Sequence, residues 1–584
     1  MRVRTRKISV MLVLVFSSFT TSLSHASSPP DEQWVQPSHA EDGFQGFLLQ
    51  DARTQTGYSF LIGNRASSHF VCSAIDTGDC GGATSYGFNA VLPVCTSSVD
   101  TDCIDSLVAI SPNGTRLQGT FSHYVWTKHP NQYVASKADG LPIGSAPSIW
   151  TIPGAEHSQI SDYLITASIG GGGPVGKIDV SDFNLNLFAS SIHQKLTPAT
   201  FDTNPEKLAW MDFMNQRTDS DGITRTFGQG VGEYDSVKCA SYLQDPMQCV
   251  VANPFPSNFS FEVKLRLSKE PNGWFHGRMS SPSISLAKSS NGSTLMTVQA
   301  SPIKTPIIYF GAQFSTLPSN IQDLYKGCGA WPTCNFRSSR QPGQDGVGKK
   351  ADPLTRNMTS NPQPWGLNAI KELQVWLPVI KNTATATPEV WSIHSVANDQ
   401  MTSSNSCFST GTGLLGIVST NASAYSEGPP VFADGQLTYQ VAAPHYMNDG
   451  NIFKGSYDLL MRSDVARCLY GFSSAPIKAS IEVIDDSGSQ SVATTSFSEV
   501  GGWDKLSAKN FEFSSPAINI KLAQDLASAT PPATSSNQVH ATSSNAIPKN
   551  PNTPKVITLN CYQGRIVKKV SGISPSCPRG FIKK

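Results

Sequence analysis

A mainly β protein is what the sequence predicts: antiparallel sandwich or meander domains with few helices, ending in a small disulfide-stapled hairpin module. Three observations carry this expectation. Charged residues make up only 15% of the 584-residue chain against 39% hydrophobic, too few for long solvated helices or a charge-driven disordered chain. From Phe259 to Leu267 every odd position is apolar and every even one polar, the two-residue period of a half-buried strand. Asn-Gly pairs at 272–273 and 291–292, among 46 Gly and 39 Pro, punctuate the chain with turn signals at the spacing of a meander.

In chain order, residues 1–26 read as an export signal. Arg2, Arg4, Arg6 and Lys7 precede an apolar run from Ile8 to Phe19, and Ser24 and Ala26 suit a cut after Ala26. The run is shorter than the ~20 residues of a bilayer span, and no later stretch supplies one, so no transmembrane segment is expected after signal removal. A β-rich domain with four cysteines is expected over 27–200, with a strand at 163–169. A second β-rich region, with room for two subdomains, covers 201–527. Its expected strands are 259–267, 274–279, 283–286, 294–300, 305–310, 416–420, 436–441 and 480–484. The best helical period places Leu367, Ile370, Leu373, Trp376 and Leu377 on one face, ended by Pro378. Residues 528–554 hold nine Ser/Thr, five Pro and a single charge, Lys549, a composition that cannot form a core and reads as a linker. A basic two-Cys module, 555–584, closes the chain.

Twelve cysteines in an exported chain read as disulfides. Spacing pairs Cys239 with Cys249, Cys328 with Cys334, and Cys561 with Cys577. Cys407 and Cys468 remain for each other, and the quartet Cys72, Cys80, Cys95, Cys103 allows three pairings. No C-x-x-C knuckle is present, so neither a metal nor a cofactor is expected.

The motifs that resemble chemistry fail on their neighbours. Gly171 to Lys177 and Gly343 to Lys349 match the opening of a phosphate-binding loop, but Ile178 and Lys350 stand where Ser or Thr would hold the metal. Asp76-Thr-Gly78 and Asp486-Ser-Gly488 resemble a split aspartate pair, but simple turns account for both. Cys80, inside Gly78-Asp-Cys-Gly-Gly82, reads as half a disulfide rather than a nucleophile. Asp219-Ser-Asp-Gly222 lacks the flanking ligands of a calcium loop. His123 and His129, about 20 Å apart on an extended segment, cannot share a metal. No catalytic residue emerges.

Charge is distributed unevenly. The formal total is +1, with +4 in the signal and +8, without any acid, from Lys549 to Lys584, which leaves −11 for residues 27–548. An acidic body carrying a basic tail predicts attraction of the tail to polyanions. Within that tail, Val556-Ile-Thr-Leu-Asn-Cys561, Gly564, Lys568-Lys-Val570 and Pro575-Ser-Cys577-Pro-Arg-Gly-Phe581 before Lys583-Lys584 resemble a short C-terminal module of exported actinobacterial proteins. Gln563 replaces that module's Lys, and Ile582 is inserted before its closing lysines. The resemblance covers about 30 residues and implies export and retention at the envelope, with no activity attached.

Together these readings predict an exported, non-catalytic, β-rich surface or extracellular protein. Arg565, Lys568, Lys569, Lys583 and Lys584 would bind an anionic cell-envelope polymer rather than nucleic acid. A secreted hydrolase of polysaccharide or protein, and a carbohydrate-binding protein suggested by the ten tryptophans, are the alternatives. The sequence leaves the oligomeric state open. Because the linker isolates the tail, Cys561 and Cys577 should pair with each other. Proteolysis within the linker without reductant should release a free tail by mass; a tail still bound covalently to the body excludes that pairing.

Overall fold

The structure is a computed structural model. It describes residues 29–524 except 38–42, 52–58, 66–67, 126–130, 196–215, 219–223, 227–238, 243–247, 290–291, 327–357, 361, 397–404, 409–412, 427, 473–476, 485–493 and 514–516, and then 557–563, 566–572 and 582–583. Strand accounts for 55% and helix for 11%, far from the ~20–25% strand of an average domain, so the protein is mainly β as the alternation predicts. The chain divides into two units, 1–529 and 530–584.

The first unit is built around one long sheet. Its main path runs Thr494–Val500, Trp503–Glu512, Lys454–Arg462, Leu414–Thr420, Gly273–Arg278, Glu389–Ser395, Asp179–Lys195, Asp162–Pro174, Ser85–Val91, Phe60–Arg65, Ser68–Val71. All neighbours are antiparallel except Gly273–Arg278 and Leu414–Thr420, which run parallel. Strands from both sides of residue 200 therefore share this sheet. Trp274 lies across Gly416 of the parallel partner, where an added Cβ would come 2.2 Å from the indole.

One face of the long sheet packs on a five-stranded sheet ordered Ser280–Lys288, Thr294–Ser301, Ser260–Leu267, Cys103–Ile110, Arg116–Gln118. The predicted alternation supplies this core: Phe261, Val263, Leu265 and Leu267 meet Ile165, Leu185, Phe275, Trp391 and Ile417. Glu262, on the even face, is also covered, and Arg116 donates to its Oε1 at 2.7 Å. The opposite face of the long sheet carries Trp274, Val418, Leu459 and Met461 into a second core with Gln436–Ala442, Ile477–Ile484 and Ala517–Gln524. A third core joins Phe44–Leu49 and Ile308–Gln313 to the helices Ser319–Lys326 and Leu367–Trp376.

That last helix forms where the three-to-four spacing places it, and it buries Ile370, Leu373 and Trp376. Leu367, at its first position, faces solvent instead. Glu372 is buried in its place and accepts the Ser360 hydroxyl at 2.7 Å, and burial pushes its carboxyl up to about 7. The helices Ser319–Lys326 and Ser463–Tyr470 escape the sequence reading because each spans little more than two turns.

Three disulfides are described. The quartet resolves into Cys72–Cys80 and Cys95–Cys103, and Cys407–Cys468 ties the Ser406–Phe408 turn to the Ser463–Tyr470 helix. Cys239, Cys249 and Cys561 hold strand positions of which only the backbone is described, and Cys328, Cys334 and Cys577 lie outside the described residues, so the Cys239–Cys249, Cys328–Cys334 and Cys561–Cys577 pairings are not among the described disulfides. Among the described residues no helix is long and apolar enough to cross a membrane. In the second unit, Ile557–Gln563 pairs antiparallel with Ile566–Gly572 and with Ile582–Lys583.

A polar pin joins the two sheets of the sandwich. Lys509 Nζ donates to Asp458 Oδ2 at 2.6 Å, Ser456 Oγ at 2.9 Å and Ser280 Oγ at 3.0 Å. Asp458 Oδ1 accepts the Ser507 hydroxyl and its Oδ2 accepts the Ser281 N–H. Ser281 reaches it because a bulge at 280–283 turns its backbone to φ 52°, a costly conformation for a non-glycine residue that the pin holds in place. With all three ammonium protons accepted, Lys509 is an ion-pair partner rather than a nucleophile. Asp458→Ala should lower the unfolding free energy by roughly 3 kcal/mol, the low end for a broken buried pair because Lys509 keeps some solvent. Urea unfolding measures this; a loss below about 0.5 kcal/mol would mean the pin contributes nothing beyond a surface pair.

Candidate functional site

The face of the long sheet opposite the sandwich carries a group of buried polar side chains, among them Thr166, Ser168, Asn186, His276, Arg278, Ser392 and His394. Cross-strand register builds it. Ser168 pairs with Asn184, Asn184 with His394, and His394 with His276, which makes one row across four strands. Two residues along, Thr166, Asn186, Ser392 and Arg278 form a second row on the same face. The alternate residues of these strands, Ile165, Ala167, Leu185, Leu187, Trp391, Ile393 and Phe275, all enter the sandwich core.

Arg278 organises the cluster. It is 1% exposed, and its Nε donates to Asp51 Oδ2 at 2.9 Å. Nη1 donates to the carbonyls of Thr420 and Ala422 at 2.9 and 2.6 Å, closing the exit of the parallel strand. The Tyr425 ring lies under the guanidinium, 4.4 Å from Cζ, and stacks on His276 at 3.9 Å with planes 3° apart. His394 sits 5.5 Å from His276, centroid to centroid. A flat delocalised cation with forked donors suits this position, since one group serves a carboxylate, two carbonyls and an aromatic face at once. A lysine could not.

Chemically, the arrangement neutralises Arg278 with Asp51 and encloses two imidazoles beside a stacked phenol. Thr166 Oγ1 and Arg278 Nη2 are buried and find no acceptor or donor among the described residues, so the polar rows retain unused hydrogen-bonding capacity. Among the described residues no three His, Cys, Asp or Glu side chains converge to hold a metal ion.

None of the residues singled out in the sequence belongs to this cluster. Asp76 precedes the short 3-10 turn Gly78–Gly82, and Cys80 within that turn is bonded to Cys72. Gly171 to Pro174 end a strand rather than open a helix. His123 pairs opposite Ile149 on a side branch of the long sheet that joins it through the pairing of Ser148–Thr151 with Asp162–Pro174. Asp219–Gly222, Gly343–Lys349 and Asp486–Gly488 lie outside the described residues, as do Arg565 and Lys584. Lys568, Lys569 and Lys583 occupy strand positions in the second unit, with Cys561 opposite both Lys568 and Lys583. The polar rows left only a faint trace in the sequence, an Arg and a His two residues apart between apolar neighbours in Trp274-Phe-His-Gly-Arg-Met279.

No family model matches the chain, and neither a curated protein nor a solved structure matches it.

The Arg278–Asp51 pair should behave as a buried ion pair. Arg278→Met and Asp51→Ala should each cost roughly 3–5 kcal/mol by leaving the other charge uncompensated. The double variant should cost markedly less than their sum. Additive losses in a denaturation cycle would show that the two side chains act independently.

Proposed function

We propose that the chain is an exported, non-catalytic β-sandwich protein held at the cell envelope by its basic C-terminal module, which binds an anionic wall polymer. The observation that carries this reading is the charge division: +8 without an acid over 549–584, against −11 for the body. The Ser/Thr/Pro-rich segment 528–554 separates the basic tail in sequence from a body whose charge repels polyanions. The disulfides Cys72–Cys80, Cys95–Cys103 and Cys407–Cys468 suit a chain that matures in an oxidising compartment, which fits the basic-then-apolar start and Ala26 cut site. The body's polar side chains support a structural role, because Arg278, Asp51, Asp458 and Glu262 are engaged with one another or with neighbouring strands.

Each exposed lysine contact contributes only ~0–1 kcal/mol, so retention depends on Arg565, Lys568, Lys569, Lys583 and Lys584 acting together. Such attraction is screened over ~8 Å at physiological salt and ~3 Å at 1 M. Full-length protein should therefore stay with cells and be released by a wash at about 1 M salt, while a form ending at residue 548 should appear in the medium. Equal retention of the two forms removes the reading.

A further inference from the structure

The described disulfides differ in what covers them. Cys72 and Cys80 are each 4% exposed, and Cys103, bonded to Cys95, is 1% exposed. The Cys407–Cys468 bridge has no buried half: Cys407 is half-buried, and Cys468 is exposed on a helix whose Val465, Ala466 and Leu469 are buried. The first two bridges join residues eight apart in sequence, whereas Cys407 and Cys468 are 61 apart, so no short loop of chain keeps their sulfurs together once the bond is cut.

The two sides of this bridge are fastened differently. On the helix side, the Ser463 N–H donates to the Gly502 carbonyl at 2.8 Å and its hydroxyl to Asp504 Oδ1 at 2.9 Å. Arg467 Nη2 adds a bond to Glu499 Oε1 at 2.6 Å, and Val465, Ala466 and Leu469 enter the second core. On the turn side, the Cys407 N–H donates to Asn405 Oδ1 and the Phe408 N–H to the Asn405 carbonyl, both at 3.0 Å, bonds that close the turn on itself. Phe408 is the inward anchor, 1% exposed, with its ring edge-on to Trp274 at 5.4 Å. The disulfide is thus the covalent link that seats Phe408 against the Gly273–Arg278 strand.

We propose that Cys407–Cys468 is a thiol-exchange site whose reduction frees the Ser406–Phe408 turn and lifts Phe408 off Trp274. Exchange proceeds by attack of a thiolate on one sulfur of the bridge, so its rate follows access to that sulfur. Cys468, the more exposed half, receives the attack: the incoming sulfur bonds to its Sγ, the Cys407–Cys468 bond breaks, and Cys407 leaves as a thiolate. A second thiol, or the other arm of a dithiol, then displaces Cys468 and forms the reagent's own disulfide. Two electrons and two protons pass from the reagent to the pair. The helix keeps its polar anchors and its buried face, whereas the turn loses its link to the body. The sandwich core, on the other face of the long sheet, stays closed. The site is independent of the basic tail, so the salt-wash result bears on neither outcome below.

Limiting dithiothreitol on the folded full chain at about pH 8, where part of the reagent is thiolate, followed by timed iodoacetamide labelling and mass mapping, tests the exchange. Cys407 and Cys468 should be alkylated at least about tenfold faster than Cys72, Cys80 and Cys103. Hydrogen exchange then reads the release: amide protection across 405–408 should fall by about tenfold on reduction, with Ser463–Tyr470 and Ser260–Leu267 unchanged. The double variant Cys407→Ser, Cys468→Ser should show that loss without reductant, and reductant should change the segment no further. Labelling of Cys407 and Cys468 at the rate of the buried cysteines removes the exchange site. Full protection across 405–408 in the reduced protein or in the folded double variant, or a loss that spreads to Ser260–Leu267, overturns the release.

Discussion

Through its middle strands, from Lys454–Arg462 to Asp162–Pro174, the long sheet is buried on both faces, and much of the first unit follows from that constraint. A strand that alternates apolar and polar residues can face a core on one side and water on the other at no cost. When the second side is covered as well, each of its polar groups must find a partner inside the protein. Towards the Leu414–Thr420 and Lys454–Arg462 strands the chain meets this with apolar residues on both faces: Ile417 and Leu460 toward the sandwich, Val418, Leu459 and Met461 away from it. Across Gly273–Arg278, Glu389–Ser395, Asp179–Lys195 and Asp162–Pro174 it meets it with two rows of hydrogen-bonding side chains.

Arg278 makes the second solution workable. A lone guanidinium at that depth would be prohibitively costly, and Asp51, two carbonyls and the Tyr425 ring together compensate it. The same residue connects strand order to loop position, since the carbonyls it holds lie just where the parallel strand ends. The polar pin around Lys509 and Asp458 serves a comparable purpose between the sheets of the sandwich, and a bulge supplies the extra donor. In each case a charge is buried together with an opposite charge and further hydrogen-bonding groups.

Away from the sheets, short local closures hold the excursions. Cys72–Cys80 and Cys95–Cys103 each span eight residues of sequence, loops that contribute roughly 2–3 kcal/mol by chain entropy. Inside the second of these loops Asp100 accepts the N–H and hydroxyl groups of Thr96 and Ser97, which hold its carboxyl well below the usual range. The loop is further fastened to the five-stranded sheet by Asp102, which accepts from Ser268, and by Arg266, which donates to the Ser97 carbonyl and pairs with Asp105.

The sequence by itself determined the β class, the strand at Ser260–Leu267 with its buried odd residues, and the helix at Leu367–Trp376. Each is written in a period of two or of three to four residues that a single segment reveals. It also determined that Cys407 joins Cys468, because elimination left no other partner. Only the tertiary structure decided how Cys72, Cys80, Cys95 and Cys103 pair, since the sequence left three connectivities open. Only it decided that Ser392, Asn186 and Glu262, polar positions on alternating strands, would be covered rather than wetted. The rows Ser168–Asn184–His394–His276 and Thr166–Asn186–Ser392–Arg278 join segments up to 226 residues apart in numbering. Period reports which way a side chain points from its own strand, whereas burial of that face depends on what another part of the chain lays over it.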